Sequence, residues 1–291
     1  TLLKLYYSNS KIKINDFIEG NNNYHIDMPK IEKANFIGGF FAIFSPNEKP
    51  SEEFFSRMSS SNYKHKLPEP LLYPNALATT ISMISILYDL KKNLSDKISI
   101  FKNSTDLKDS IKNNKISIIL HIEGAEAISS NFDSLEILYS LGLRSIGPVW
   151  SRPNIFAHGV PFNFPSTPDT GPGLTSLGKE LIKKCNNLNI VIDLSHLNEK
   201  GFWDVAKISN KPLVATHSNA HEICPHSRNL TNKQLQAIKD SDGIVGLNLA
   251  TAFLRPDGKM EEDTDLENLL RHFDHLINFL GEDNVAIGSD F

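Results

Sequence analysis

Two short apolar runs of the sequence each end in a histidine, and these two histidines are well suited to metal binding or catalysis. His196 ends the run "VIDLSH", and His217 ends "LVATH" 21 residues later. Two acidic residues, Glu123 in "IILHIE" and Asp290 in "VAIGSD", end similar runs. Neutral imidazole and carboxylate groups are ligands that suit zinc, and a metal with an open coordination position can activate water near neutral pH. The pattern therefore predicts a metal site built from strand ends.

These residues must be positioned by the elements that carry them. Continuous apolar runs of four to eight residues, rich in β-branched types, predict strands that are covered on both faces. The predicted strands are Gly39–Phe44, Ile116–Gly124, Leu143–Trp150, Ile190–His196, Pro212–His217, Gly243–Ala250 and Asn284–Phe291. Apolar residues spaced by three and four predict helices over Leu77–Tyr88, Leu177–Leu188 with Thr175 as cap, Leu235–Ile238 with Thr231 as cap, and Leu266–Leu280 before Gly281.

The alternation of strand and helix predicts an α/β fold with right-handed crossovers and a parallel sheet. We expect a single domain over 1–291, a (β/α)8 TIM barrel of the metal-dependent hydrolase type, with the first strand before Thr1 and the C-terminal end missing from this chain. An open doubly wound sheet is the alternative, but no glycine-rich phosphate loop follows a strand. Catalytic groups of barrels lie at the C-terminal ends of strands. This places Glu123, Trp150, His196, His217 and Asp290 on one face.

Composition narrows the possible partners. The chain has 291 residues and a net charge of −4, so it has no basic excess for nucleic acid binding. None of its apolar runs approaches the roughly 18 residues that span a bilayer. Its two cysteines, Cys185 and Cys224, are too few for a disulfide framework, which favours a reducing compartment and a cytoplasmic location. A segment lost before Thr1 could still have carried a signal peptide.

Five motifs, "HIEG", "IDLSH", "ATHSNAH", "SRNLT" and "GSDF", occur in this order along the chain. Together they resemble the membrane dipeptidase (renal dipeptidase) family of the amidohydrolase superfamily. The resemblance implies a two-zinc barrel hydrolase that cleaves dipeptides and that pairs into homodimers in many relatives. It implies that Glu123 bridges two zinc ions and that His196 and His217 bind the second one. Asp290 matches the aspartate that moves the proton of the attacking water, and Arg228 matches the arginine that binds the substrate's C-terminal carboxylate.

Two departures from the family pattern bear on these expectations. The family's His-x-Asp pair for the first zinc precedes a segment like "TLLKL", so we expect it just before Thr1. The pair His25 and Asp27 has the same spacing, but no apolar strand delivers it, and we interpret it as a loop. The family's substrate-contacting histidine is replaced by Trp150 in "PVWSRPN", with His158 as a candidate substitute farther along the loop.

Three functions stay open at this point. The first is a zinc dipeptidase. The second is a related amidohydrolase that acts on N-acyl amino acids or lactones, which Trp150 keeps in consideration. The third is a metal-poor, inactive binding protein, which would follow if the His-x-Asp pair of the first strand is truly absent.

Overall fold

The computed structural model of the protein describes residues 2–7, 10–47 and 52–290. Its strands are β1 (Gly38–Phe44), β2 (Tyr63–Lys64), β3 (Ile98–Ile100), β4 (Ile116–Glu123), β5 (Leu143–Gly147), β6 (Asn163–Phe164), β7 (Val191–Ile192), β8 (Val214–Ala215), β9 (Ile244–Leu247) and β10 (Val285–Ile287). Its α-helices are α1 (Leu2–Tyr7), α2 (Ser10–Glu19), α3 (Met28–Lys33), α4 (Glu52–Met58), α5 (Tyr73–Asn93), α6 (Ser104–Lys112), α7 (Asp133–Ser140), α8 (Ser176–Leu188), α9 (Glu199–Ile208), α10 (Asn232–Asp240), α11 (Thr251–Leu254) and α12 (Leu266–Leu280). Short 3-10 turns cover Ala125–Ala127 and Glu282–Asn284.

One compact unit is formed by the described residues of the ranges 2–45 and 72–146. Strand β4 is its centre, and it pairs in parallel with both β1 and β3. All residues of β4 except Ile119 are buried, as the continuous apolar run predicts. Strand β1 approaches β4 so closely at Gly38 that a Cβ there would lie 2.2 Å from the Ser117 carbonyl oxygen. Because φ of Gly38 is +150°, glycine suits both the backbone conformation and the close approach.

The second compact unit is formed by the described residues of the ranges 46–71 and 147–290. Strands β8, β9 and β10 form a parallel sheet in the order β10-β9-β8. Helices α8, α9, α10 and α12 each bury an apolar side chain: Leu181, Val205, Leu235 and Leu276. Strands β2 and β6 pair antiparallel and belong to a separate core of Met58, Tyr63, Phe164, Cys224, Ala252 and Phe253.

The predicted α/β fold with parallel strands is confirmed, but most predicted strands are too long. The prediction Ile190–His196 becomes β7, and Pro212–His217 becomes β8, each with two residues. The Asp193 carboxylate accepts hydrogen bonds from the backbone N–H groups of Ser195 and Thr216, so a side chain replaces strand pairing there. Strand β3 is missing from the prediction because the three residues Ile-Ser-Ile are too short a signal. Phe291, the end of the last predicted strand, lies outside the described residues.

The four predicted helices are confirmed as α5, α8, α10 and α12. Thr175 caps α8, and Thr231 and Gln234 form a reciprocal capping box on α10. The apolar period of α12 does not reveal which of its residues are buried: Leu266 is 73% exposed, whereas the polar His272 is fully buried. No described helix combines the length and the apolar character needed to cross a membrane.

The buried His272 makes stability depend on pH. Its Nδ1 accepts the Ala220 N–H at 3.1 Å, and its Nε2 lies 3.0 Å from the Leu254 carbonyl oxygen. This arrangement requires a neutral ring with the proton on Nε2. Burial lowers the pKa of His272 from 6.5 to about 4.

We predict that His272→Gln makes unfolding less sensitive to acid. The folded pKa lies below the unfolded pKa, so between pH 6.5 and about 4 the unfolded chain binds a proton that the folded chain does not. This residue therefore lowers the free energy of unfolding by up to about 3 kcal/mol as the pH falls through that window. Glutamine keeps one acceptor and one donor without titrating. Urea unfolding of both proteins from about pH 7 to about pH 4 measures the difference; parallel curves would contradict the prediction.

Candidate active site

His196 and His217 lie together, as the sequence predicts. Both side chains are buried, and their Nε2 atoms are 3.0 Å apart. Two nitrogen ligands of a single tetrahedral zinc ion are separated by roughly 3.3 Å, because each lies about 2.0–2.1 Å from the metal. The spacing of the two imidazoles therefore suits ligands that share one ion.

His217 is oriented by a chain of hydrogen bonds that ends in a carboxylate. The Thr216 hydroxyl donates to Asp193 Oδ2 at 2.6 Å and lies 2.8 Å from His217 Nδ1. Since the hydroxyl proton is directed to Asp193, the hydroxyl oxygen accepts the Nδ1–H of His217. This tautomer presents Nε2 as the nitrogen with a lone pair, which is the form that binds a metal.

Asp193 also ties together the two segments that carry the histidines. It accepts from the hydroxyl of Ser195 at 2.6 Å, besides its bonds to the backbone N–H groups of Ser195 and Thr216. The Ser195 hydroxyl in turn accepts the His217 backbone N–H at 3.0 Å. A buried carboxylate with this many donors fixes the segment after β7 against the segment after β8.

His196 is held by a hydroxyl and two aromatic rings. Ser151 Oγ lies 2.9 Å from His196 Nδ1 and can accept a hydrogen bond from the Nδ1–H group. The ring centroids of Trp150 and Phe162 lie 5.8 Å and 6.4 Å from that of His196. Trp150 follows β5 by three residues and is not part of it, which corrects the predicted strand Leu143–Trp150. The structure nevertheless places Trp150 beside a predicted metal ligand.

Arg228 reaches the same histidines from its own loop. It is only 3% exposed, and its guanidinium donates to the carbonyl oxygens of Ser195 and, at 3.1 Å, His217. One guanidinium nitrogen lies 3.4 Å from His196 Nε2. The carbon of the guanidinium stands 5.5 Å from the Phe253 ring centroid, within cation–π range. A desolvated positive charge therefore adjoins the two imidazoles.

Asp290 has a defined hydrogen-bonding partner in Asn248. The Asn248 amide nitrogen donates to Asp290 Oδ2 at 3.1 Å, while its amide oxygen accepts the Ala250 N–H at 2.7 Å. The second bond fixes the orientation of the amide, so Asn248 presents a donor to the carboxylate. Asp290 has a positive φ of 66°, a strained conformation that is unusual for a residue other than glycine.

Glu123 is the last residue of β4 and is buried. Its carboxylate is a candidate metal ligand, as are the imidazoles of His196 and His217. His121, on the same strand, contacts Ser145 Oγ at 2.9 Å and the Phe40 ring, as expected for a packed neighbour.

The other histidines considered from the sequence have different surroundings. Asp27, two residues after His25, caps α3 by accepting the Lys30 N–H at 3.0 Å, so this pair belongs to a helix start. His158 forms an isolated antiparallel bridge with Pro153 in the loop after β5.

The sequence profile of the family described as membrane dipeptidase, peptidase family M19, matches residues 2–291. The chain belongs to the membrane dipeptidase family. A metallo peptidase of Rhodobacter sphaeroides, solved with a phosphinate mimic of the dipeptide L-Ala-D-Ala, is 44% identical with a TM-score of 0.97 over 100% of this chain and 83% of that one. The dipeptidase AC, also a metallo peptidase, is 45% identical with a TM-score of 0.96 over 100% and 82%.

A further relative is an uncharacterized protein in the PQQ-III 3'region of Acinetobacter calcoaceticus. It is 42% identical over 282 residues, which cover 95% of this chain and 86% of that protein. The family and the structural neighbours make the chain a metallo-dipeptidase, a hydrolase whose family implies dependence on a metal. The family predicted from the motifs is confirmed, and so is the α/β fold that this family shares.

The sequence did not reveal the residues that orient the ligands. Asp193 could have been found, because it is an acidic residue within an apolar run, which is the signal that identified Glu123. Thr216 and Ser151 have no comparable signal, since single hydroxyl residues near strand ends are common. Phe162 was missed because it lies in a loop far along the chain from His196.

We predict that Thr216→Val weakens metal binding by roughly 10- to 100-fold, because valine keeps the shape and removes the hydroxyl between Asp193 and His217. Thr216→Ser keeps that hydroxyl and is the matched control. Competition with a chelator measures the affinity, and urea unfolding of the metal-free proteins separates lost affinity from lost stability. Equal affinity of the valine and serine variants would show that the hydroxyl does not orient His217.

Proposed function

We propose that the protein is a zinc-dependent dipeptidase that hydrolyses the peptide bond of dipeptides with a metal-activated water. The observation that carries this proposal is the pair of buried imidazoles of His196 and His217, whose Nε2 atoms are 3.0 Å apart. We propose that the Glu123 carboxylate completes the ligand set. One carboxylate and two imidazoles form a donor set that zinc accepts. The orientation of His217 by the Thr216 hydroxyl supports the same ion.

The residues present fit one ion, and the family pattern adds a second. We propose that His196 and His217 would hold the second zinc and that Glu123 would serve as a ligand to both ions. When bound, the metal centre lowers the pKa of a water molecule and polarises the scissile carbonyl.

Asp290 is the proposed general base and acid. A carboxylate accepts the proton of the attacking water and returns it to the departing amine. The amine therefore leaves as a neutral molecule and not as a high-energy anion. The donor amide of Asn248 on Oδ2, 3.1 Å away, leaves Oδ1 as the oxygen that exchanges the proton in this proposal. The fixed amide orientation supports a carboxylate that is held in one geometry.

Arg228 is the proposed binding group for the substrate's C-terminal carboxylate. A planar guanidinium can form two charge-assisted hydrogen bonds with a carboxylate. Its burial supports this role, since a charge removed from water attracts an oppositely charged group more strongly. Its distance of 3.4 Å from His196 Nε2 would place the substrate's end near the metal ligands.

The relative from Rhodobacter sphaeroides was solved with a mimic of L-Ala-D-Ala. At 44% identity over the whole chain, this supports a dipeptide of that kind as the first substrate to assay. The second candidate is hydrolysis of N-acyl amino acids or lactones. Trp150 favours it, because an indole, 5.8 Å from the His196 ring, offers one neutral N–H donor and cannot carry a positive charge at an oxyanion as an imidazole can.

We predict that the protein cleaves L-Ala-D-Ala much faster than its C-terminal amide. Loss of a charge-assisted bidentate contact costs roughly 2–4 kcal/mol, so kcat/KM for the amide should be about 30- to 1,000-fold lower. Arg228→Ala should remove this preference, because no charge remains to distinguish acid from amide. Steady-state kinetics of both substrates on both proteins give the ratio.

Arg271→Ala is the matched control for this experiment, since it removes an exposed arginine of α12 whose ion-pair partner is Glu267, one turn earlier on the same helix. It should keep the full preference. Equal cleavage of acid and amide by the unaltered protein would overturn the role of Arg228 and favour the N-acyl or lactone alternative.

We predict that Asp290→Asn retains the metal and loses turnover. An amide preserves the shape but cannot take up and return a proton, so kcat should fall by roughly 10²- to 10⁴-fold. Metal content by elemental analysis and kcat with L-Ala-D-Ala are both required. A variant with normal metal content and near-normal kcat would exclude Asp290 as the base.

A further inference from the structure

The loop that carries Arg228 also contains a buried histidine, His226. The proposed mechanism gives this residue no role. His226 is fully buried. Aromatic rings enclose it, with centroids between 4.6 Å and 6.4 Å from its own: Tyr63, Phe162, Phe164 and Phe253. An imidazole in such surroundings fills space as an apolar ring does, so any polar task must belong to its two nitrogens.

One nitrogen of His226 has a clear task. Its Nδ1 accepts the backbone N–H of Arg228 at 3.0 Å. This requires Nδ1 to be unprotonated. Burial and the neighbouring Arg228 charge keep the pKa of His226 well below 6.5, so the ring is neutral at physiological pH. The hydrogen bond from residue 228 to the side chain two positions earlier is the kind that Asn or Asp makes in a turn.

The backbone on both sides of this bond is also fixed. His226 N–H donates to the Cys224 carbonyl oxygen at 2.7 Å, and the Asn229 N–H donates to the His226 carbonyl oxygen at 2.9 Å. Ser227 N–H donates to the Asn163 carbonyl oxygen at 3.2 Å. The N–H of Arg228 is the one that depends on a side chain, and that side chain is His226.

The direction of the Arg228 side chain begins at this backbone position. Its guanidinium must reach the carbonyl oxygens of Ser195 and His217 and stay near His196. A shift of the Arg228 backbone by even 1 Å would change where the charge lies, and such displacements can cost about 10²-fold in rate.

We propose that His226 is a positioning residue for substrate recognition. Its neutral imidazole accepts the Arg228 N–H and thereby holds the guanidinium where it binds the carboxylate of a dipeptide. The inference rests on the proposed role of Arg228, and it assigns His226 no contact with the substrate.

Two variants separate the hydrogen bond from the filled space. His226→Leu fills most of the space and has no acceptor. His226→Asn offers an amide oxygen that can accept the N–H two residues on, as in an Asx turn. We expect His226→Leu to lower the preference for L-Ala-D-Ala over its amide by roughly 10- to 100-fold, through KM rather than kcat. His226→Asn should stay within about threefold of the unaltered protein.

His272→Leu is the matched control, because it also removes a buried histidine whose Nδ1 accepts a backbone N–H, that of Ala220. It should lower the melting temperature without changing the acid-to-amide preference. If His226 had only a structural role, His226→Leu would likewise lower the melting temperature and leave the acid-to-amide preference unchanged.

The outcomes distinguish this inference from the proposed function. If the unaltered protein does not prefer the acid, the role of Arg228 fails before His226 is considered. If it does, and folded His226→Leu with normal metal content keeps the full preference, the positioning role is wrong. Should His226→Leu be insoluble, His226→Asn decides alone: a retained preference supports the role, and a preference lowered to the level of Arg228→Ala overturns it.

Discussion

The carboxylate of Asp193 is the constraint on which the arrangement of the two histidines depends. It accepts backbone N–H groups from Ser195 and Thr216 and a hydroxyl proton from each of the same residues. These bonds adjoin an isolated parallel bridge between Asp193 and Val214 and fix the geometry of the segments that follow the two short strands. His196 and His217 come directly after the two residues so held, and their Nε2 atoms are brought to 3.0 Å. A buried anion thus converts two strand ends into one ligand pair.

The positively charged side chain of Arg228 also joins the same two segments. Arg228 donates to the carbonyl oxygens of Ser195 and His217, so its position is coupled to that of the ligands. In the proposed function Arg228 binds the substrate, so these contacts with the backbone beside the two histidines would place the substrate relative to the metal centre. An exposed arginine would bind a carboxylate more weakly, and it would not be coupled to the two histidines. Both points are structural reasons for the burial of Arg228. The hydrogen bond from the Arg228 N–H to the His226 ring ties the position of this arginine to the loop that carries it.

The proximity of His196 and His217 and the α/β alternation could be predicted from the sequence because both have strong local signals. A histidine or an acid at the end of an apolar run is conspicuous, and the capped helices α8 and α10 have clear starts. The strand lengths could not be predicted, because Asp193 replaces ladder hydrogen bonds by a contact across 23 residues. The aromatic contacts of Phe162 and the acceptor role of His226 depend on which loops meet, which no local pattern encodes. The closed eight-stranded barrel, the homodimer and the cytoplasmic location stay predictions.

The central claim is that Glu123, His196 and His217 hold the metal that acts on the substrate. Anomalous scattering at the zinc absorption edge, from crystals of the protein purified without a metal-chelating step, tests this claim. We expect a peak about 2.0–2.2 Å from the Nε2 atoms of both histidines and from a Glu123 carboxylate oxygen. A zinc-replete, catalytically active protein with no peak at these three residues, or with its only peak elsewhere, would contradict it.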